Sequence, residues 1–174
     1  MPAVDQGSAQ SPGRYQLVPR VLCFVLDGDR VLLLRGAASK KIWPGVYNGL
    51  GGHVERGESV QAAAEREIFE EAGLRVSRLR LRGVVTVDAG ASPGIGLFVF
   101  TAQTAGGTPT ASDEGSLEWV PLSEVRDLSI VPDVGVLLER LTAEPDSAPP
   151  FSAHSHYDAR GDLVLRFDAG GANA

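Results

Sequence analysis

The sequence contains little cysteine, no long apolar run and no secretion signal. Cys23 is the single cysteine among 174 residues, which excludes an intrachain disulfide, and its apolar neighbours Leu22 and Phe24 favour a buried thiol. The longest apolar runs, such as residues 21–26, have the length of a strand and are too short to cross a bilayer. The first 14 residues lack the basic start and apolar stretch of a signal peptide. These absences predict a soluble, cytoplasmic protein that does not enter a membrane.

Positive charge is also scarce. The chain has 16 Lys and Arg residues against 22 Asp and Glu residues, for a formal charge of −6. Because proteins hold polyanions mainly through Lys and Arg, this balance disfavours binding to duplex nucleic acid. A small phosphorylated partner remains compatible with it if divalent cations lie between the ligand's oxygens and the protein's carboxylates. The acidity therefore predicts a metal-dependent protein with a small-molecule ligand.

The length and composition are those of one packed domain. Hydrophobic residues make up 43% of the chain and charged residues 22%, which is ordinary for a globular core. No internal repeat divides the sequence. We expect a flexible tail at residues 1–14, one domain at residues 15–167 and a second tail at residues 168–174. The sequence does not predict an oligomeric state.

Strand and helix signals alternate along the chain. Residues 21–26 and 30–35 flank Asp27-Gly28-Asp29, where the Asp-Gly pair supports positive φ, so they are predicted to form a β-hairpin. Further strands are predicted at residues 75–87, 95–103, 117–120 and 163–167. Helices are predicted at residues 59–72, with Ser59 as N-cap and Gly73 at the left-handed C′ position, and at residues 132–141, which a proline opens.

Three glutamates share one side of the first predicted helix. At about 100° per residue, Glu67, Glu70 and Glu71 fall within an arc of roughly 100°, so their carboxylates can converge. Carboxylates placed this way repel one another, which a bound cation offsets, and hard oxygen ligands suit Mg²⁺ or Mn²⁺. Arg66, eight positions after Glu58, can hold a carboxylate by a forked hydrogen bond. We therefore predict a metal site that serves phosphate chemistry.

These acids belong to one signature that extends over 23 positions. Its full form in this chain is Gly52-x5-Glu58-x7-Arg66-Glu67-Ile68-x-Glu70-Glu71-x-Gly73-Leu74. The segment matches the Nudix box at every position, and the chain therefore resembles the Nudix hydrolases, which cleave nucleoside diphosphates linked to another moiety. The resemblance implies an α/β fold, namely an α/β/α sandwich with a mixed β-sheet, in which the box forms a loop, a helix and a second loop.

The resemblance also implies roles for residues within the box. Glu70 and Glu71 would bind divalent cations, Glu67 would be a further ligand or help to deprotonate water, and the carbonyl of Gly52 would complete the shell. Glu58 and Arg66 would orient these metal-binding acids. Water would then attack a phosphorus atom of a diphosphate held by Mg²⁺ or Mn²⁺.

One further acid outside the box is a candidate metal ligand. Members of this family often recruit an acid from a distant loop, and Asp113-Glu114 follows a Gly-rich turn. Glu114 is the predicted ligand of the two. The alternative is that both acids are only solvated, as adjacent acids in loops usually are.

The Nudix box does not specify the leaving group of the reaction, so the substrate must be inferred from other residues. Asn48 can both donate to and accept from a purine edge, and Asp133 can accept from a base or, when protonated, donate to it. The other candidates for substrate contacts are Trp43, Tyr47, Trp119 and His53. Structural explanations remain open for each of these types: Asn48 can cap a turn, Asp133 can satisfy a helix N-terminus, and the tryptophans can anchor the core or a loop.

The segments around Asn48 and Pro132-Asp133 resemble those of the MutT-like oxidised-purine nucleoside triphosphatases, over roughly Tyr15 to Phe167. This resemblance implies hydrolysis of a nucleoside triphosphate, including oxidised purine nucleotides, to a monophosphate and pyrophosphate. Val134 stands where that branch has a second acid, so the base preference stays open. Two alternatives remain: the same reaction on ADP-ribose, a dinucleoside polyphosphate or a non-nucleotide diphosphate, and a nucleotide-binding sensor without turnover.

Overall fold

The computed structural model describes residues 14–39, 43–88, 90, 92–110 and 114–168. The tails predicted at residues 1–14 and 168–174 lie outside these ranges except for Arg14 and Asp168, so the predicted division of the chain stays a prediction. Asp113, the acid before Glu114, also lies outside the described residues.

Strands alternate with two α-helices along the chain. The described strands are β1 (Leu17–Asp27), β2 (Arg30–Gly36), β3 (Tyr47–Asn48), β4 (Val76–Asp88), β5 (Gly94–Thr104), β6 (Gly115–Pro121), β7 (Phe151–Tyr157) and β8 (Leu163–Phe167). The helices are α1 (Val60–Ala72) and α2 (Pro132–Ala143), with a short 3-10 helix, Leu122–Asp127, before α2. In the part of the chain that the structure describes, no helix is long and apolar enough to cross a membrane.

The strands form one mixed sheet with a helix on each face. Its order is β3-β2-β1-β5-β4-β7-β8, with β6 paired to β2 beside this path. The β1–β5 and β4–β7 pairs are parallel and the others are antiparallel. Ile68 of α1 packs in one core with Cys23, while Leu137 of α2 packs in the other core with Phe24. This arrangement confirms the predicted α/β sandwich with a mixed sheet.

Residues of β1 alternate between the two cores. Cys23 and Phe24 are neighbours in the strand, point to opposite faces and are both completely buried. A strand covered on both faces has no polar side, which explains its uninterrupted apolar run. The predicted burial of Cys23 is thereby confirmed.

The predicted β1–β2 hairpin is present. Asp27 pairs directly with Arg30, so the turn consists of Gly28 and Asp29. Gly28 has a φ of 62°, a conformation that glycine adopts without steric cost. The strands predicted at residues 75–87, 95–103, 117–120 and 163–167 are also present, with ends that differ by a few residues.

The sequence analysis did not predict β3, the 3-10 helix or β7. In β7 the buried positions alternate with exposed ones, but the buried residues include the small Ala153 and the polar Ser155. An alternating apolar pattern is therefore weak in this strand, although burial alternates strictly over its first five residues. β7 and β8 pair to form a hairpin at one edge of the sheet.

Candidate active site

The helix that carries the acids is fixed by caps at both ends. Ser59 is the N-cap, and its hydroxyl accepts a hydrogen bond from the N–H of Ala62 at 3.1 Å. Gly73 follows the last turn with a left-handed φ of 65°, and its N–H donates to the carbonyl of Phe69. Both predicted caps are therefore confirmed. Ile68 is fully buried against the sheet, which fixes the rotation of the helix and turns the acids toward the preceding loop.

The loop before α1 runs antiparallel to β1. The N–H of Cys23 donates to the carbonyl of Leu50 at 2.7 Å, and the N–H of Val21 donates to the carbonyl of Gly52 at 2.9 Å. Gly51 lies between these bonds with a φ of 143°, and a methyl group on its Cα would stand 2.1 Å from the carbonyl oxygen of Val21. Glycine is therefore required where the loop approaches the strand so closely.

Arg66 is the centre of the polar network on α1. Its guanidinium donates to the two carboxylate oxygens of Glu58 at 2.8 and 3.2 Å. It also donates to Glu67 at 2.9 Å, to Glu70 at 3.0 Å and to the carbonyl of His53 at 3.0 Å. The forked bond predicted from the sequence is present, and one cation ties three carboxylates to the loop.

This pairing stabilises the charged forms of both Arg66 and Glu58. The bonds from Arg66, followed by the bond from the N–H of Glu55 at 2.7 Å, lower the pKa of Glu58. The bond to Glu58 is in turn the main cause that raises the pKa of Arg66. Both groups are therefore ionised at neutral pH, and the donors of Arg66 are engaged by the protein itself.

The three glutamates of α1 occupy different environments. Glu67 lies against the backbone of Gly52, where a methyl group would stand 2.4 Å from its Oε1. Glu71 is only 8% exposed and accepts from the N–H of Gly51 at 2.8 Å. Glu70 reaches furthest into solvent, with 56% of its side chain exposed. The carboxylates thus form a line from solvent at Glu70 to the core at Glu71.

The chemistry of this donor set fits a hard divalent cation. Glu67, Glu70 and Glu71 offer carboxylate oxygens, and the carbonyl of Gly52 has a second lone pair beyond its bond to β1. Among the described residues, no three Asp, Glu, His or Cys side chains already converge as they would around an ion. Arg66 instead holds Glu67 and Glu70 toward its guanidinium. The candidate ligands thus lie on one helix and its preceding loop, and Glu67 and Glu70 would have to turn away from Arg66 to meet at a cation.

Cys23 lies in the core beneath the acids. Burial raises the pKa of its thiol, and the negative charges of Glu71 and Glu67 raise it further. The thiol is therefore neutral at physiological pH and does not act as a nucleophile.

A cavity of about 570 Å³ opens beside the carboxylates. Its lining includes Glu71 from the box and three residues predicted to bind substrate, Trp43, Asn48 and Asp133. Pockets for small-molecule ligands have volumes of about 300–1,000 Å³, so this cavity can hold a nucleotide base and sugar. The structure thus brings candidate base-binding residues and a box carboxylate to one concave site.

Asn48 and Asp133 have hydrogen-bonding capacity for a ligand. Oδ1 of Asn48 accepts from the N–H of Gly49 at 2.8 Å, which leaves the two Nδ2 donors without a partner among the described residues. Burial raises the pKa of Asp133, although hydrogen bonds from its own N–H and from that of Val134 oppose the shift. A raised pKa favours the protonated carboxyl, which can donate as well as accept. Their structural roles are therefore compatible with ligand binding.

Trp43 lines the cavity in an uncommon backbone conformation. Its φ is 56°, in the left-handed region, and 40% of the residue is exposed. The N–H of Val46 donates to its carbonyl at 3.3 Å, within the turn that leads to β3. Bulky residues rarely adopt positive φ, and such strain concentrates at functional sites.

Three other predicted substrate residues are not among the described residues that line the cavity. Tyr47 is buried, and its hydroxyl donates to Glu118 at 2.6 Å. Trp119 packs against the core beneath α1, with the guanidinium of Arg30 over its ring. His53 is exposed, and it is its backbone carbonyl that joins the polar network. The rings of Tyr47 and Trp119 thus contact the core and the polar partners Glu118 and Arg30.

Glu114 also lies outside the lining. It is exposed and directly precedes β6, where its carbonyl accepts from the N–H of Ala37 at 3.0 Å. This bond places the start of β6 next to Gly36, which does line the cavity.

The sequence analysis missed several residues of the cavity. Arg20 lines it from β1, and Tyr157 and Leu163 line it from the β7–β8 hairpin. The sequence signal that could have indicated Arg20 is a positive residue directly before the apolar run of β1. The hairpin residues had no local signal, since only the pairing of β7 with β4 brings them to the site.

Comparisons with known proteins agree with this geometry. Residues 16–141 match the NUDIX domain family. The chain is 35% identical over 113 residues to the oxidized purine nucleoside triphosphate hydrolase of Mus musculus, over 64% of this chain and 71% of that protein. It is 44% identical over 68 residues to the NAD-capped RNA hydrolase NudC of Pseudomonas aeruginosa, over 39% of this chain and 23% of that one. The crystal structure of the MutT protein from Bacillus halodurans aligns with a TM-score of 0.73 at 29% identity, over 87% of this chain and 98% of that one.

Proposed function

The chain belongs to the NUDIX family of pyrophosphohydrolases, and we propose that it hydrolyses nucleoside triphosphates to a monophosphate and pyrophosphate. The proposed substrates are purine nucleotides, including oxidised ones, and the proposed cation is Mg²⁺, with Mn²⁺ as a substitute. Similarity to a mouse hydrolase of oxidised purine nucleoside triphosphates supports this choice. The presence of Val134 in place of a second acid leaves the preference among purines to experiment.

One observation carries the proposal: a single cavity joins a box carboxylate to two candidate base-binding residues. Glu71, Asn48 and Asp133 all line it. A nucleotide whose base lies between Asn48 and Asp133 would extend its phosphates toward Glu71 and the acids beside it. The reacting diphosphate would then meet the metal ligands without any rearrangement of the backbone.

We assign the chemistry to the acids of α1. Glu67, Glu70 and Glu71 would hold the cation together with the carbonyl of Gly52. When bound, the cation lowers the pKa of water, polarises the phosphoryl oxygens and neutralises charge on the leaving pyrophosphate. Glu67, which lies against the Gly52 backbone, is also the candidate to take the proton of the attacking water. The bridging P–O bond between monophosphate and pyrophosphate breaks as the water oxygen bonds to phosphorus.

Three other residues would assist these acids. Arg66 and Glu58 would position the carboxylates, since Arg66 bonds to Glu58 and to the acids of the helix. Glu114 is kept as a proposed further ligand, because its bond to Ala37 holds it near the rim of the cavity. A crystal structure with bound Mg²⁺ tests this, since the carboxylate of Glu114 should then coordinate the cation.

In the proposed recognition of the base, the protein both donates and accepts hydrogen bonds. The unpartnered Nδ2 donors of Asn48 suit an acceptor on the purine edge. Asp133, with its raised pKa, can donate when protonated and accept when ionised. Trp43 would stack on the exposed face of the base.

A second candidate function is hydrolysis of a diphosphate within a dinucleotide. The 44% identity to NudC over 68 residues favours it, but this chain covers only 23% of that protein. The triphosphate substrate remains the main proposal, because the chain covers 71% of the mouse relative.

We also propose that residues 15–167 form the catalytic domain, since Leu163 still lines the cavity. We further propose that the protein acts in the cytoplasm.

A substrate panel with product identification tests the proposal. Purified protein and Mg²⁺ are incubated separately with natural nucleoside triphosphates, 8-oxo-dGTP, ADP-ribose, a dinucleoside polyphosphate and NAD⁺, and the products are identified by mass. We expect monophosphate and pyrophosphate from a purine triphosphate as the fastest reaction. Faster cleavage of a dinucleotide would favour the second candidate. Binding by calorimetry with no product from any compound would contradict both and indicate a sensor.

The same panel tests base recognition. Asn48→Ala removes the amide donors, so KM for purine substrates should rise about 10-fold while kcat stays nearly unchanged. Pyrimidine substrates should be affected far less. An equal rise for both classes would contradict the assignment of Asn48 to the purine edge.

A further inference from the structure

Arg20 is a cation in the cavity that the reaction described above does not use. It is half-buried and is the one Lys, Arg or His among the described residues that line the cavity. Its guanidinium makes no hydrogen bond or ion pair with any other described residue. The lining also carries the acidic Glu71 and Asp133, and the chain as a whole has a charge of −6. Within the described part of the lining, Arg20 is therefore the positive side chain available to a polyanionic substrate.

The backbone places Arg20 beside the Nudix box, in the cavity that Asn48 and Asp133 also line. Arg20 forms an isolated antiparallel bridge with His53, and the N–H of the next residue, Val21, donates to Gly52. Bridged residues of antiparallel strands have Cα atoms about 5 Å apart. Val21 points into the core beneath α1, so alternation along β1 turns Arg20 to the opposite face. The guanidinium thus projects into the cavity from the strand that holds the box loop.

Arg66, the other arginine near the acids, cannot take this role. Its donors are engaged by Glu58, Glu67, Glu70 and the carbonyl of His53. A guanidinium that is already surrounded by carboxylates attracts a phosphate much less than one without a partner. Among the described residues that line the cavity, Arg20 is therefore the cation available for direct contact with the substrate.

We propose that Arg20 binds the phosphate attached to the nucleoside, the one that stays with the monophosphate product. This inference rests on the proposed function, because it assumes a nucleotide with its base in the cavity and its outer phosphates at the acids. A planar guanidinium can bond two phosphate oxygens at once, which anchors the nucleotide at the junction between base and reacting bond. The outer phosphates face the metal ligands instead.

Binding without metal tests this contact independently of turnover. AMP, GMP, CMP, 8-oxo-dGMP and the corresponding nucleosides are titrated into the protein in buffer with EDTA, by isothermal calorimetry. At least one monophosphate should bind the wild-type protein about 10-fold or more tightly than its nucleoside. Arg20→Gln should remove most of that difference, and Arg20→Lys should retain part of it. The idea is lost if the wild type has no preference for a monophosphate, or if Arg20→Gln keeps the full preference.

A matched control separates contact from net charge. Arg126→Gln makes the same change in charge at an exposed residue that pairs with Glu139 and lies outside this cavity. It should bind monophosphates as the wild type does, and equal weakening in both variants would overturn the proposal. Circular dichroism and a thermal melt should show that Arg20→Gln folds normally, because no bond to a described residue is lost.

Product inhibition distinguishes the two ends of the substrate. With Mg²⁺ present, Arg20→Gln should raise the inhibition constant for the monophosphate by about 10-fold and leave that for pyrophosphate unchanged. An effect on pyrophosphate alone would place Arg20 on the leaving group and overturn the assignment. If the wild type hydrolyses the substrate and Arg20→Gln changes neither inhibition constant, the role of Arg20 is overturned while the proposed function stays intact.

Discussion

At the residue scale, the adjacent glycines Gly51 and Gly52 meet different obstacles. A methyl group on Gly51 would strike the backbone of Val21 and would require a side chain at a φ of 143°. A methyl group on Gly52 would first meet the carboxylate of Glu67, which is the far end of a flexible side chain and bonds to Arg66. The first glycine is therefore needed for the fold, and the second for the placement of a carboxylate.

Alanine at these two positions should separate stability from activity. Gly51→Ala should lower the free energy of unfolding by about 1–3 kcal/mol, because neither the strand nor the conformation can adjust cheaply. Gly52→Ala should leave that free energy nearly unchanged but displace Glu67, which we expect to reduce kcat by about 100-fold. Urea denaturation and steady-state kinetics on both variants measure this. Full activity in Gly52→Ala would show that the position of Glu67 does not matter.

Residue-level prediction from sequence succeeded where the partners are close along the chain. The spacing of Glu58 and Arg66 was enough to predict a forked bond from the guanidinium to a carboxylate, because a helix and its preceding loop bring the two together. Tyr47 and Trp119 show the limit of this reasoning. Their aromatic character suggested stacking on a base, whereas their observed contacts, such as the bond from the Tyr47 hydroxyl to Glu118, come from residues far away in the sequence.

At the element scale, α1 depends on its N-terminal cap. Ser59 satisfies the N–H of Ala62, and the first turn of the helix contains no acidic residue to assist it. The cap also sets where the helix begins, and hence where Glu67 to Glu71 stand relative to the loop. A shift of the first turn would move the acids away from Gly51 and Gly52.

Replacing the cap should destabilise the protein by a modest amount. Ser59→Ala leaves a helix N–H without its partner and should lower the free energy of unfolding by about 1 kcal/mol. Ser59→Asp, which retains an acceptor, serves as the control and should be close to the wild type. Urea denaturation followed by circular dichroism measures both. A Ser59→Ala protein as stable as the wild type would mean that solvent satisfies the first turn equally well.

Elements with a strong local signal were predictable, and β7, which lacks one, was not. Helix α1 has a cap residue, alanines and a terminal glycine within its own sequence. β7 has no comparable signal, because small and polar residues occupy buried positions that only the tertiary structure reveals. As a result, the contribution of Tyr157 and Leu163 to the cavity could not be inferred from the sequence.

At the scale of the whole molecule, the site joins the two halves of the sandwich. The acids lie on α1, which covers one face of the sheet, whereas Asp133 belongs to α2, which covers the other. The segment from Asn48 to Gly52 connects them, because its first four residues line the cavity while Leu50 and Gly52 bond to β1. In the proposed complex, a bound nucleotide would reach from the proposed base-binding residues to the proposed metal ligands.

The central claim is that the carboxylates of α1 carry the hydrolysis, and isosteric replacement tests it most directly. Glu70→Gln and Glu71→Gln are compared with Glu65→Gln, an exposed glutamate on the same helix whose nearest polar contact is Gln61 at 3.5 Å. With Mg²⁺ and the best substrate of the panel, the first two should lose about 100- to 1,000-fold in kcat/KM. Glu65→Gln should stay within about twofold of the wild type, since surface changes of this kind alter free energies by about 0.5 kcal/mol or less. Equal activity in all three variants, with folding preserved, would contradict the account.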